Sequence, residues 1–367
     1  MKDWSLLYVA ENADEIFRSI RWENGLECPS CSSHNIVKLQ GGRYKCRDCG
    51  EVFSDKSGTL FHGSKLPLSY WMVALYLDLC IKGLSGYELA RQLQVTYKTA
   101  YYMLMRLRQA FDQDDIFFTS PLVAHDEVFI GGDYRNFCLR KKQQFLEKFN
   151  LPRNPKTVAE KIAIGNAVNQ RTKKGCFGIT DGKRVVLRQV PTPIDTEDIV
   201  RIYNKHVSPH GLAVSDCSAL YYNWQQRTGR ELHTNNHSKG QYLADNGTSS
   251  NMIENVFSWL ERSNMFVHVH YSRAYTQLYL DEFAFKFNTR HMTPQERLVT
   301  ALRRCQRRYD RGLLERLNKM EKELYREDRW FNPRAFFRDN PTLAREIRDG
   351  GVVYRREDWI DDPPPLT

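Results

Sequence analysis

Two cysteine pairs near the N-terminus constrain the fold of this chain more than any other feature. Cys28 and Cys31 form one C-x-x-C unit, Cys46 and Cys49 form a second, and fourteen residues separate them. Four thiolates at this spacing can close a tetrahedral Zn²⁺ site, and such a ribbon folds around its metal without a large apolar core. His34 lies between the pairs and is an alternative to one thiolate. We therefore expect a zinc ribbon with a structural Zn²⁺.

The composition narrows the class of protein and of partner. The chain has 367 residues, a net charge of +10 and nine cysteines, of which five lie outside the two pairs. This odd remainder argues against a disulfide framework and favours a reducing compartment. The sequence has no apolar run of transmembrane length, and its acidic start differs from a signal peptide. The basic excess favours nucleic acid as partner, although a solvated surface without a partner would give the same charge.

The region after the ribbon is predicted to be helical. LSGYELARQL forms one amphipathic helix, a tight turn follows, and a second helix runs from Tyr97 to Arg108. A second helix of this kind fits the major groove of DNA, with its first residues at the base edges. A three-helix bundle that does not touch DNA has the same periodicity, so both interpretations remain open. The helix periodicity directs five candidate DNA-binding residues outward: Thr96, Tyr97, Lys98, Tyr101 and Arg108.

The middle of the chain alternates between strand-like and helix-like runs. LVAHDEVFIGG, KIAIGNAVN and RVVLRQV are predicted strands, and a helix capped by Thr196 follows. GLAVSD and ELHTNN are further strands, and the last helix begins near Ser249 or Ser250. This order of elements is that of the ribonuclease-H-like fold. Because the first and fourth strands are neighbours in that fold, we expect Asp126 and Asp216 to converge, with Glu254 over the same sheet edge.

Three converging carboxylates repel one another unless cations neutralise them. Hard divalent ions with oxygen ligands do this, so we expect two catalytic Mg²⁺ or Mn²⁺ ions held by Asp126, Asp216 and Glu254. Two such ions about 4 Å apart can activate a water or a 3′-hydroxyl and stabilise the leaving oxygen of a phosphodiester. Each carboxylate taken alone is as well explained as a helix cap or a surface residue.

Three stretches of the chain resemble a known family. They are HDEVFIGG, SDCSALYYNW and the segment from NMIENVFSWLERSN to YLDEFAFKFNTR. They resemble the DDE transposases of bacterial insertion sequences, in the zinc-ribbon group related to Merlin transposons, over residues 20–295. The resemblance implies that Asp126 and Asp216 are the first two catalytic carboxylates. It also implies a DDE-type polynucleotidyl transferase that binds terminal inverted repeats and catalyses metal-dependent DNA cleavage and strand transfer.

The third catalytic position has two candidates. Asn251 and Glu254 are three residues apart on one predicted helix, and therefore share a face. The resembled group has Glu in some members and Asn in others, and we favour Glu254 because two cations call for a third carboxylate. The family usually has a Lys seven residues later, where this chain has Glu261 followed by Arg262. Arg262 is therefore expected to contact phosphate in place of that Lys, unless this copy is weakened.

The chain is thus predicted to be a multidomain α+β protein with a zinc ribbon, a helix-turn-helix bundle, a ribonuclease-H-like catalytic domain and a helical C-terminal extension. A basic insertion with Arg140, Lys141 and Lys142 is expected to bind DNA phosphates. Double-stranded DNA and a homodimer or higher oligomer on DNA are the expected partners, in a bacterial cytoplasm near the nucleoid. A domesticated, non-catalytic DNA-binding regulator and a metal-dependent DNA nuclease remain as alternatives.

The expected boundaries are residues 1–25 for a helical lead-in, 26–60 for the ribbon, 66–112 for the helix-turn-helix, 120–295 for the catalytic domain and 296–367 for the basic extension and tail.

Overall fold

The computed structural model describes residues 4–80, 83–131, 138–192, 194–235, 250–268, 272–307, 310 and 312–319. It comprises two units, and the larger contains every helix and strand named below. The smaller includes residues 272–275 and the helical residues 312–319, and in it the Tyr275 hydroxyl donates to the Asn318 side chain. No helix in the described segments is long and apolar enough to cross a membrane.

The N-terminal part consists of two short helices and a three-stranded ribbon. The helices are α1 (Leu6–Glu11) and α2 (Ala13–Arg21), and the antiparallel strands, in sheet order, are β1 (Ile36–Leu39), β2 (Arg43–Cys46) and β3 (Val52–Ser54). The ribbon core contains little more than Tyr44, Phe53 and two of the cysteines, with Trp22 packed against it. A core this small agrees with a fold that depends on a metal for much of its stability.

A helical bundle follows the ribbon and shares one apolar core with α1 and α2. Ser85 and Thr96 cap α4 and α5 through their hydroxyl oxygens, and Gln94 ends α4 in the left-handed region at φ 54°. These local signals define two helices joined by a short turn, at the positions that the sequence predicts. The elements of the bundle are α3 (Leu68–Cys80), α4 (Gly86–Leu93), α5 (Tyr97–Arg108), a 3₁₀ turn (Gln109–Phe111) and, from late in the chain, α12 (Pro294–Cys305).

The central part is a mixed five-stranded sheet with the strand order β6-β5-β4-β7-β8. The first three strands along the chain pair antiparallel, whereas β7 and β8 run parallel to β4. The whole chain is therefore a mixed α+β protein. The strands are β4 (Leu122–Ile130), β5 (Lys174–Thr180), β6 (Val185–Val190), β7 (Leu212–Asp216) and β8 (Leu232–Asn235).

Helices cover both faces of this sheet. One face packs on α10 and α11, and the other packs on α8 and α9. The side chains of β4 alternate between these two layers, since Ala124 and Ile130 face α10 and Val123 faces α8 and α9. The helices are α6 (Leu139–Lys148), α7 (Val158–Thr172), α8 (Thr196–His206), α9 (Ala219–Thr228), α10 (Asn251–Ser263), which continues as one π-turn (Asn264–His268), and α11 (Thr276–Asn288).

The structure corrects two predictions of secondary structure. KIAIGNAVN is not a strand, because it lies within α7, which begins with a capping box formed by Thr157 and Glu160. Ile162 is 56% exposed while Ile164 and Val168, four residues apart, are buried, so the apolar pattern is helical. The strand lies later, at β5. The cap of α8 is Asp195 rather than Thr196, since the Asp195 side chain accepts from the Glu197 amide.

Candidate active site and metal centre

The two cysteine pairs meet in a single cluster. All four sulfur atoms lie within 4.8 Å of one another, and Sγ–Sγ distances of 3.6 Å separate Cys28 from Cys49 and Cys31 from Cys46. Tetrahedral Zn–S bonds of about 2.3 Å require sulfur atoms about 3.8 Å apart, so the cluster fits one structural Zn²⁺. The His34 ring nitrogen lies 3.0 Å from the Leu26 carbonyl oxygen, and His34 is not part of the cluster.

The backbone shapes each cysteine unit for metal binding. The residue after the second cysteine is left-handed in both units, Ser32 at φ 58° and Gly50 at φ 76°. This conformation lets the Ser32 amide donate to the Cys28 carbonyl and the Gly50 amide to the Cys46 carbonyl, which closes two tight turns. Backbone hydrogen bonds from Cys49 and Asp48 lower the pKa of Cys46 to about 7, whereas the pKa of Cys49 in the same cluster is raised.

Asp126 and Asp216 lie on adjacent parallel strands at the same level of the sheet. The β4–β7 register pairs Leu122 with Leu212 and Ala124 with Val214, and two further residues along each strand reach the two aspartates. On the outer sides, Asp126 pairs with Gly178 of β5 and Asp216 pairs with Asn235 of β8. The structure therefore brings together two of the three predicted carboxylates, ninety residues apart in the sequence.

Burial and neighbouring charge set the protonation of Asp126. Burial is the largest cause, and the carboxylates of Glu127 and Asp216 add to it, so that the pKa of Asp126 is raised to about 8. Carboxylate oxygens grouped in this way are ligands that Mg²⁺ or Mn²⁺ prefers.

The predicted third ligand lies at the start of α10. Glu254 is exposed, and its carboxylate accepts a 2.8 Å hydrogen bond from the Ser250 hydroxyl. Asn251 opens the same helix and is exposed as well. Across the described ranges, the four cysteines form the only group of three or more possible ligands with all ligand atoms within 4.8 Å. Glu254 therefore lies outside any such tight group with the two aspartates.

Gly178 lets α10 approach the sheet beside Asp126. A Cβ atom at Gly178 would lie 2.7 Å from the Phe257 ring and 2.8 Å from Ile253 Cδ1, closer than real Cβ contacts allow. Only glycine therefore permits this packing. Since Gly178 is the partner of Asp126 across the β4–β5 pair, the close approach places the first turns of α10 near the aspartates.

Sequence reasoning missed two residues at this position. Glu127 is half-buried, and its carboxylate accepts a hydrogen bond from the buried Tyr221 hydroxyl. The same hydroxyl lies 3.3 Å from Asp126 Oδ1. The sequence did contain a signal for Glu127, namely the Asp-Glu doublet in HDEVFIGG. Because successive side chains of a strand point to opposite faces, the two acids would lie on opposite faces of a sheet that is covered on both sides. Nothing in the sequence indicates that Tyr221 would reach them.

The candidate DNA-reading helix has a smaller exposed face than predicted. Thr96 and Lys98 are exposed, and Tyr101 is half-buried. Tyr97 stacks on Tyr87 with ring centroids 4.3 Å apart, so it packs partly within the bundle. The remaining outward surface of α5 lies at its N-terminal end.

Arg108 does not face outward, and the prediction that it does is wrong. Arg108 is only 2% exposed, forms a buried ion pair with Glu282 of α11 and lies over the Tyr279 ring. Lys286 bonds the same Glu282 and also Asp78 of α3, at 2.8 Å. Although burial alone would raise the pKa of Glu282, Arg108 and Lys286 hold it below its usual value. Helical periodicity could not reveal this partner, which is 174 residues away in sequence.

The other predicted DNA-binding residues are basic. Arg140 and Lys141 lie on α6, where Arg140 is exposed, and Lys142 on the same helix is half-buried. Arg262 is exposed on α10 and donates to Ser258. Three arginines near the C-terminal end of the described residues form ion pairs with acidic residues of the same chain: Arg303 with Glu23, Arg304 with Asp115 and Arg307 with Asp112. The predicted tail beyond residue 319 lies outside the described residues.

The chain combines a four-cysteine ribbon with a mixed α+β domain in which acids are grouped on adjacent strands. Comparison with known families is more specific. Residues 120–288 match the family model of the ISXO2-like transposase domain, and residues 10–52 match the model of the transposase zinc-ribbon domain. The resemblance to insertion-sequence transposases is thereby confirmed.

One curated relative supports the same assignment. An uncharacterized protein in the transposable element ISH50 of Halobacterium salinarum is 32% identical over 128 residues. The match covers 34% of this chain and 43% of that protein, so the chain aligns with less than half of its relative.

Proposed function

We propose that this chain is a DDE-type transposase that cuts the ends of an insertion sequence and joins them to target DNA. The observation that carries the proposal is the position of Asp126 and Asp216 at one level of adjacent parallel strands, each two residues beyond the last paired residues, Ala124 and Val214. The match of residues 120–288 to a transposase domain supports it.

The architecture supports a ribonuclease-H-like catalytic domain. Three antiparallel strands followed by two strands parallel to the first, in the order β6-β5-β4-β7-β8, are what that fold requires. The two capped helices α4 and α5, joined by a turn at Gln94, support a helix-turn-helix whose second helix begins at Tyr97. We assign sequence-specific binding of the terminal repeats to this part and to the ribbon.

The residues of the site suit phosphoryl transfer. Asp126 and Asp216 offer oxygen ligands to divalent cations, and Glu254 offers a third from an exposed position at the start of α10. Bound Mg²⁺ or Mn²⁺ would supply neutralisation of the phosphate charge and a lower pKa for the attacking hydroxyl. Exposed Arg262, two turns beyond Glu254 on α10, would neutralise phosphate outside the carboxylates.

Two successive displacements give the product. Hydrolysis of one strand at the element's end breaks the P–O3′ bond and leaves a 3′-hydroxyl on the element. That hydroxyl then attacks a target phosphate in line, forms a new phosphodiester and releases a target 3′-hydroxyl. Joining two ends at one target needs two active sites, so we propose at least a homodimer on DNA.

The test is an assay of cleavage and joining with the DNA ends that flank the gene. In Mg²⁺ or Mn²⁺ we expect cleaved ends with a 3′-hydroxyl and joined products with plasmid target, and neither product in EDTA. Cleavage without joined products would favour a metal-dependent nuclease instead. Tight binding of the ends with no cleavage under any metal would favour a non-catalytic DNA-binding regulator.

A further inference from the structure

The Tyr221 hydroxyl lies between two neighbouring carboxylates of β4. It donates a hydrogen bond to Glu127 Oε2, and it lies 3.3 Å from Asp126 Oδ1. The backbone amide of Glu127 donates to the same Oδ1 atom at 2.8 Å. The Glu127 amide therefore fixes one oxygen of Asp126, and the Tyr221 hydroxyl, whose single proton is directed to Glu127, packs against that oxygen. Among the described residues, this leaves the other oxygen, Oδ2, for a cation.

The ring that carries this hydroxyl is fixed by a buried aromatic cluster. Tyr221 is fully buried and stacks on His125, with centroids 4.9 Å apart and 19° between the rings. Tyr203 and Trp224 contact the edge of His125, at 5.0 and 4.9 Å. His125 is fully buried, and its ring packs as an aromatic plate among these three rings. Tyr221 therefore cannot turn away from β4 without disturbing this cluster.

Strand alternation places the two acids of β4 on opposite faces of the sheet. Asp126 shares its face of β4 with Ala124 and Ile130, which pack against α10. Glu127 shares the opposite face with Val123, in the layer of α8 and α9 that contains Tyr221. Asp126 is thus placed for metal and DNA, whereas Glu127 is placed to accept the Tyr221 hydroxyl.

We propose that Tyr221 is a positioning residue, which acts with Glu127 to fix the orientation of Asp126 for binding a divalent cation. This inference rests on the proposed function. Groups that orient metal ligands in this way typically change metal affinity or activity by about 10–100-fold when removed.

The direct test is Tyr221→Phe in the full-length, zinc-loaded protein. Without DNA, the affinity for Mn²⁺, measured from the electron paramagnetic resonance signal of free Mn²⁺, should fall by about 10–100-fold. Cleavage should fall at low Mn²⁺ and recover at high Mn²⁺. Tyr222→Phe is the matched control, since Tyr222 is the next residue of α9 and is 47% exposed. An unchanged Mn²⁺ affinity in folded Tyr221→Phe would overturn the proposal.

Glu127 provides an independent test if Tyr221→Phe does not fold. Glu127→Gln retains an oxygen that can accept the Tyr221 hydroxyl, whereas Glu127→Ala does not. We expect Mn²⁺ affinity close to wild type for Glu127→Gln and a loss like that of Tyr221→Phe for Glu127→Ala. Equal losses in the two variants would mean that Glu127 binds the cation through its charge, and the positioning role would be wrong.

Asp126→Asn separates this inference from the proposed function. If Asp126→Asn binds Mn²⁺ and cleaves DNA like wild type, the proposed function itself fails. If Asp126→Asn loses both properties while Tyr221→Phe keeps both, only the positioning role fails.

Discussion

The pKa of Asp126 depends on its burial and on two acidic neighbours, of which one is adjacent in the sequence and the other is ninety residues away. Its strand neighbour Glu127 and the more distant Asp216 both raise its pKa, in addition to burial. Such a concentration of acid on one sheet edge would destabilise a protein that used it only for structure. This group of acids lies next to Gly178, which allows α10 to pack closely on the sheet. The two features together identify this part of the sheet as a candidate active site.

Glu254 and Asn251 can be separated by substitution. We expect Glu254→Gln to lower cleavage by about 100-fold or more, because the loss of one ligand charge removes several kcal/mol of charge stabilisation at the phosphate. Asn251→Ala should have a much smaller effect. Initial cleavage rates at saturating Mg²⁺ measure both. The reverse result, with Asn251→Ala inactive and Glu254→Gln active, would assign the third position to Asn251.

At the scale of single elements, α5 combines a surface end and a buried end. Thr96 and Lys98 lie at its exposed start, and Arg108 lies at its buried end, joined to Glu282. Helix periodicity predicted the span of α5, but it assigned Arg108 to the surface. A long-range ion pair between α5 and α11 leaves no trace in local periodicity.

The two ends of α5 should respond differently to substitution. Arg108→Ala should destabilise the protein by about 3–5 kcal/mol, because it leaves Glu282 with one buried partner fewer. Lys98→Ala should change stability by no more than about 0.5 kcal/mol and should weaken binding to the terminal repeat more than to random DNA. Urea unfolding and fluorescence anisotropy measure these effects. If Arg108→Ala were as stable as wild type and lost only binding to the terminal repeat, Arg108 would belong to the DNA-reading face.

The folding of the whole ribbon should depend on its bound zinc. Cys46→Ser should release zinc and unfold the ribbon while the mixed sheet remains folded, because the ribbon core is small and separate from the sheet cores. Zinc analysis and end-binding measurements should show loss of metal and of specific binding together. Reduced wild-type protein that purifies without zinc, or a Cys46→Ser variant with full zinc content, would contradict this.

At the scale of the whole larger unit, α11 connects the bundle with the sheet. Leu280 and Ala284 pack on the sheet core, and Phe285 packs in the bundle core, where its ring stacks on Phe111. Its Glu282 binds Arg108 of α5, and its Gln277 amide donates to the Leu187 carbonyl of β6. The motif YLDEFAFKF that marks the family in the sequence is therefore also the element that joins two parts of the structure.

Sequence predicted the elements with strong local signals and missed those that depend on long-range packing. The cysteine spacing predicted the zinc cluster, and capped periodic segments predicted α4 and α5. The strand β5 was missed, since its glycines at 175 and 178 weaken the strand pattern, and its role appears only in pairing with β4. Tyr221 was missed because its hydroxyl reaches its partners across 94 residues of sequence.

We propose that Asp126 and Asp216 form a metal-dependent site for DNA cleavage. The most direct measurement compares Mg²⁺-dependent cleavage of the element's ends by wild type, Asp126→Asn and Asp216→Asn, with end binding measured in parallel. Asp198→Asn, whose carboxylate pairs with Arg201 on α8, is the control. We predict that both site variants lose cleavage and retain end binding, while the control retains both. Wild-type cleavage by either site variant would contradict the account.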